Sequence, residues 1–293
     1  MKKNYLYAII TVFLWSSMSP LVKILLGGVP NLQIISVCSY FSVLFLLLLN
    51  IKTGSIKEMK KLRAKDYLII CSLGFLGIFL YTVLYYYGLS QLTAHEACIL
   101  NYLWPIMLVI FSCIILKEKM TVMKGVAMLC SFLGIVFLST GDSVTSGGNR
   151  VVGIICCVSA AACYGLFSVL NKKADYNQNV FMMLVWAVAA IGSTVTGLIF
   201  EDWVAIEGVS WIGFIWLGVF VKALGYLLWA LALKGTAESS KIANLAFLTP
   251  FIALLISAVF LKEHVSIGAL FALVFIIGGI LLQNFVDRRR QTK

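Results

Sequence analysis

The sequence predicts an all-α membrane protein of ten transmembrane helices, built as two inverted five-helix repeats. Three observations carry that reading. Of the 293 residues, 61% are hydrophobic and only 12% charged, about half the charged share of an ordinary soluble domain. The apolar residues arrive in long blocks, many of them beyond the ~18 uninterrupted residues that mark a membrane-crossing helix. A set of residues also recurs at one constant offset between the two halves of the chain.

Apolar runs, read against charged or Gly/Asn/Pro breaks, give segments at 4–26, 31–50, 66–89, 94–116, 121–140, 150–171, 178–200, 210–233, 239–261 and 266–286. The first resembles a secretory signal at its start, where Lys2 and Lys3 precede an apolar run ending in Ser16, Ser17 and Ser19. The run continues through Leu26 and carries Trp15, Pro20 and Lys23, so it is read as a retained helix. Short connections make neighbouring segments antiparallel hairpins. The eight cysteines all fall inside apolar segments without ligand-like spacing, and they read as small buried side chains.

The net charge of +11 is an orientation signal. With the N-terminus inside, nineteen of the 23 lysines and arginines collect on the cytoplasmic side. Arg150 and Lys262 lie outside, and Lys23 and Lys222 lie within segments. The positive-inside rule therefore predicts a multi-pass protein of the cell membrane with both termini cytoplasmic. The partners expected are the lipid bilayer and a small-molecule substrate, with no nucleic acid.

The fourth and ninth segments share Pro105 with Pro250, Ser112 with Ser257, Leu116-Lys117-Glu118 with Leu261-Lys262-Glu263, and Gly134 with Gly279, all at an offset of 145. At an offset of 144, Gly74 pairs with Gly218 and Tyr85 with Trp229. The first and sixth segments pair more loosely, Trp15 with Tyr164, Ser19 with Ser168 and Lys23 with Lys172. The halves, 1–145 and 146–293, hold five segments each, and an odd number inverts the second half. Inverted repeats let two halves rock around a site near the midplane, giving alternating access.

With its prolines and Lys-Glu helix ends, the chain resembles two EamA modules of the drug/metabolite transporter superfamily over nearly its whole length. Asn101 to Pro105, NYLWP, is similar to the motif of the aromatic amino acid exporter subgroup; the second half carries only Thr249-Pro250. The resemblance implies a cavity lined by the first, third, fourth, sixth, eighth and ninth helices. Of the deep tryptophans Trp15 and Trp186, it favours Trp15.

The residues themselves point to the same place. Gly218, Lys222, Tyr226 and Trp229 share one face of the eighth segment. Lys222 lies about twelve residues from either end, ~18 Å deep, beyond the reach of a snorkelling stem. Such a lysine faces either a watery cavity, pairing a substrate carboxylate, or backbone carbonyls freed by a broken helix. Tyr81 and Tyr85 on the third segment read either as cavity residues or as packing aromatics beside a glycine face. On the fourth, Pro105 deprives the Asn101 carbonyl of its donor, and Tyr102 and Trp104 supply flat surfaces with polar handles. Asn244 and Pro250 are their less aromatic counterparts in the ninth. Pro105 and Pro250 are expected as mid-helix kinks.

No GxxxxGK[ST], HExxH or GxSxG motif occurs, so ATP hydrolysis by the chain and membrane-embedded hydrolysis are not expected, nor is a cofactor or metal. The twelve acidic residues lie at segment ends or in loops, with Glu96 deepest, beside His95, as a possible proton site or gate. The expected function is ATP-independent export of small metabolites, most of all amino acids including aromatic ones. The alternative is a carrier of purines, nucleosides or organic cations. A monomer and a homodimer are both compatible with the sequence.

Overall fold

A computed structural model describes residues 2–92, 100–138, 149–237 and 239–252, together with 256, 274, 275, 278 and 282. His95, Glu96, Lys262, Glu263 and Gly279 lie outside the described residues, as does most of the tenth segment. The described chain is all-helical. Five of its helices are long and apolar enough to cross a membrane: Asn31–Lys52, Ala64–Gly88, Arg150–Lys173, Gln178–Phe200 and Ser210–Lys234. Their outward faces are greasy, with Leu44, Leu48, Leu68, Ile155, Leu198 and Ile212 all more than half exposed, as side chains against lipid tails must be.

Five segments depart from a plain α-helix, and all do so near the same place. The first is broken at Ser17 into α1 (Lys2–Ser16) and α2 (Met18–Leu26). The third passes from α-helix to a π-helical stretch at Phe75–Leu80 before resuming at Tyr81. The eighth does likewise at Trp216–Leu224 before resuming at Gly225. These two stretches overlap at the offset of 144 that pairs Gly74 with Gly218, so the repeat written in the sequence is also a repeat of irregular backbone. Wide π turns are strained and favour functional sites.

The prolines behave differently from the kinks expected of them. Pro105 is the second residue of a helix that begins at Trp104 and ends at Ile115. A turn at Tyr102 and Leu103 precedes it, with Leu103 N bonded to the Leu100 carbonyl at 3.2 Å and Met107 N to the Leu103 carbonyl at 2.9 Å. A proline in the first turn removes a donor that has no helical partner anyway. The chain therefore breaks before Pro105 and does not bend at it. Pro250 follows the same plan, since Asn244–Phe247 is a 3₁₀ turn and α-helix resumes at Leu248.

Packing joins the halves to each other. The helix Asn31–Lys52 lies along Gln178–Phe200, Tyr81–Gln91 along Arg150–Lys173, and Lys2–Ser16 along Gly225–Lys234. Trp104–Ile115 also packs on Arg150–Lys173, as the Asn244–Phe247 turn packs on Lys2–Ser16. Exchanging each segment for its repeat partner converts these contacts into one another. Hydroxyls bridge the joints: Ser42 donates to the Gly218 carbonyl at 2.8 Å, Thr11 to that of Gly225 at 3.1 Å, and Ser16 to that of Thr249 at 3.1 Å. Small residues and interhelical hydrogen bonds hold membrane helices together where apolar burial offers no advantage over lipid. Gly218 shows how close the approach is, since a Cβ there would lie 2.5 Å from Phe41 Cβ and 2.6 Å from the Cys38 carbonyl oxygen.

Candidate functional site

The irregular segments meet around a cage of aromatic rings. Trp15, at the end of α1, is its hub. Its ring lies 5.9 Å from Trp104, 6.4 Å from Tyr164, 5.1 Å from Tyr226 and 5.2 Å from Trp229, centroid to centroid. Trp104 stands edge-on to Tyr164 at 5.0 Å and to Trp229 at 5.3 Å. Tyr81 closes the ring against Tyr164 at 5.2 Å. Mostly edge-to-face, these contacts suit the ring quadrupoles.

A cavity of about 40 Å³ lies among Trp15, Met18, Tyr81, Asn101, Tyr102, Trp104, Tyr164, Tyr226 and Thr249. That is room for a few waters and no more, too little for an organic solute in this form. A second void of about 10 Å³ sits beyond Tyr164, Tyr226 and Trp229, lined also by Ser168 and Asn171. These three rings form the floor between the two spaces.

Among the described residues no charged side chain lines the larger cavity, yet it has unmet polar capacity. Trp15 Nε1, Asn101 Oδ1 and Thr249 Oγ1 are buried with no hydrogen-bond partner among the described residues. The Asn101 side chain does bond Tyr81, leaving Oδ1 as the open acceptor. Buried polar groups are nearly always satisfied, and an orphan needs a reason. Trp15, Asn101 and Thr249 all line the same small space, with the Nε1 edge of the Trp15 indole lying against Gly225. The broken backbone puts them there, because Asn101 closes one helical fragment, Trp104 opens the next, and Thr249 follows the 3₁₀ turn.

Of the residues expected from sequence, Trp15, Tyr81, Asn101, Tyr102, Trp104 and Tyr226 line the cavity. Trp229, buried at 2% exposure, belongs to the floor. Tyr85 stands one ring back, stacked on Tyr81 at 6.3 Å and packed near Leu92 and Cys157. Asn244 is buried in the 3₁₀ turn with both side-chain polar atoms unpartnered among the described residues, and it borders neither space. Lys222 does not line the cavity either. Its Nζ lies 5.3 Å above the Trp186 ring, which in turn meets Tyr226 at 5.1 Å. The deep lysine has an aromatic face as its partner, one ring away from the space expected to hold it. Sequence reasoning passed over Tyr164, Met18, Thr249 and Trp186. Tyr164 was legible as the repeat partner of Trp15. Nothing in the sequence distinguished Trp186 from a packing tryptophan.

A many-helix membrane protein whose broken helices converge on a small, polar-tipped aromatic cavity is a carrier of small solutes. The family model of the EamA-like transporter family matches residues 2–140 and again 151–285. The chain belongs to that family, and it is a transporter and not an enzyme. Among curated relatives it is 28% identical to "Uncharacterized transporter YvbV" of Bacillus subtilis, over 93% of this chain and 88% of that one. It is 24% identical to "Aromatic amino acid exporter YddG" of Ancylobacter novellus, over 73% and 75% of the two chains. A solved crystal structure with 20% identity covers 99% of both chains at a TM-score of 0.88, a likeness of fold.

Proposed function

We propose that the protein exports small amino acids, aromatic ones among them, by alternating access and without ATP. The observation that carries this reading is the aromatic cage, whose lining includes three residues, Trp15, Asn101 and Thr249, with a polar atom unpartnered among the described residues. A zwitterion matches that set. Its ammonium meets Asn101 Oδ1 and the ring faces, its carboxylate meets the Trp15 N–H and the Thr249 hydroxyl, and a flat side chain stacks on Trp104 or Tyr164. Lys222, behind Trp186 and Tyr226, adds positive potential on the carboxylate side without contact. The likeness to the amino acid exporter YddG supports the same class. The bias of lysine and arginine supports cytoplasmic termini, which puts the Lys172 end of the bundle inside the cell.

A second reading rests on a specific observation: the described residues lining the cavity are mostly aromatic and all uncharged, with the lysine held outside it. Such a cage also suits an organic cation held by cation–π attraction alone. Liposome flux separates the two. Protein reconstituted without nucleotide is offered phenylalanine, tryptophan, leucine, a nucleoside and a quaternary amine, each radiolabelled. Amino acid flux abolished by Trp104→Ala is expected. Flux of the quaternary amine alone would overturn the amino acid reading in favour of the cationic one.

A further inference from the structure

Below the floor of the cage, three segments are tied by one carboxylate. Glu118 follows the helix that begins at Trp104, and its Oε1 accepts from Lys172 Nζ at 2.6 Å. The same oxygen accepts from the Ser239 hydroxyl at 2.9 Å, and Oε2 accepts from the Ser239 backbone N–H at 2.6 Å. Lys172 also donates to the Ser239 hydroxyl at 2.9 Å. The two charged side chains are only 11% and 13% exposed.

Each tied segment is also a wall of the cage. Tyr164 and Lys172 lie eight residues apart on one helix, which is ~12 Å along its axis. Trp104 leads to Glu118 through its own helix, and Ser239 leads to Thr249 through the 3₁₀ turn. Between cage and carboxylate lies the small void beside Ser168 and Asn171. The order along this axis is therefore cavity, aromatic floor, void, ion pair. In the sequence, the same two residue types recur at the repeat-related positions Lys23 and Glu263. A pair that bound these segments permanently would stop their walls from separating.

We propose that Glu118, Lys172 and Ser239 form a reversible lock, which closes the path from the cage to this end of the bundle and parts when the cage opens there. Glu118 supplies the negative charge of the lock: its Oε1 accepts from both Lys172 Nζ and the Ser239 hydroxyl, and its Oε2 from the Ser239 N–H. The desolvation cost of such a pair keeps its net contribution small when made, while loss of one partner leaves a buried charge uncompensated. That balance suits a contact that must be broken in every cycle. The inference rests on the alternating-access reading above.

The test is the accessibility of the void. Ser168→Cys is placed in a chain whose eight native cysteines are replaced by serine, and its labelling by a membrane-impermeant maleimide is timed in detergent. Glu118→Gln and Lys172→Met are each expected to speed labelling about tenfold, equivalent to about 1.4 kcal/mol in the closing equilibrium. The double variant is expected to be no faster than either single one, since one lock is broken only once. Labelling at the native rate in either single variant, or additive acceleration in the double, overturns the lock. If the cysteine-free chain does not assemble, hydrogen exchange across 168–176 in the native background reads the same opening and is overturned by unchanged exchange. No substrate is needed, so a failed lock and a wrong substrate class give different results.

Discussion

Lys222 Nζ lies 5.3 Å from the centre of the Trp186 ring, and Trp186 in turn leans edge-on against Tyr226 in the cavity wall. The cation is thus coupled to the cage through two aromatic rings and not by contact. A cation–π contact removed from water is worth about 2 kcal/mol, which offsets much of the cost, at least about 2.5–3.5 kcal/mol, of a lysine at membrane depth.

Lys222→Met is therefore expected to weaken binding of a zwitterionic amino acid by about fivefold, through the lost potential, and to leave binding of a quaternary amine unchanged or tighter. Quenching of tryptophan fluorescence in detergent reads both affinities. Equal weakening for the two ligands would mean that Lys222 acts only on the fold.

Trp15→Phe keeps a flat ring at the hub and removes the unpartnered N–H. A hydrogen bond to a charged ligand group contributes about 1.5–3 kcal/mol, so affinity for a carboxylate-bearing substrate is expected to fall at least tenfold while thermal stability changes little. Unchanged affinity would exclude the indole N–H from the polar rim.

Pro105→Ala tests where the chain breaks. Because Pro105 stands in the first turn of its helix, its loss is expected to lower stability by no more than about 1 kcal/mol, mainly through a freer unfolded chain. A melting temperature raised by several degrees would mean that the proline had been interrupting a continuous helix.

Gly218→Ala would push a methyl to 2.5 Å from Phe41 Cβ. Backbone on both sides leaves little room to yield, so a loss of about 1–3 kcal/mol is expected. Gly54, whose added Cβ meets nothing within 4 Å but whose φ is +71°, is the contrasting case, where alanine costs only backbone strain. Thermal melts of the two variants in detergent compare them, and an unperturbed Gly218→Ala protein would argue against the tight joint between the halves.

How much was legible in the letters depended on the range of the cause. Membrane class, helical fold and the pairing of the halves follow from local facts, namely block hydrophobicity, proline and glycine positions, and a constant offset. Lipid admits only helices and closed barrels, and continuous apolar runs of about 20 residues, unlike the short alternating strands of a barrel, settle helix against strand. The cage members on irregular segments, Trp15, Asn101, Tyr102, Trp104 and Tyr226, could also be read, because oddities in an oily run mark themselves. Which way each side chain turned could not. Lys222 shares a face with Tyr226 in an ideal helix, but the π-helical stretch at Trp216–Leu224 changes the angle between them and delivers the lysine to Trp186. Pro105 was visible, but whether a proline bends a helix or starts one depends on the turn before it. Ser239, Glu118 and Lys172 meet from three segments separated by 54 and 67 residues, a contact that no local pattern announces. The sequence by itself determined the class, the helices and the repeat, because those obey solvent and period. Only the tertiary structure decided which rings enclose the cavity and which charges close its end, because those depend on backbone breaks and on packing between distant segments.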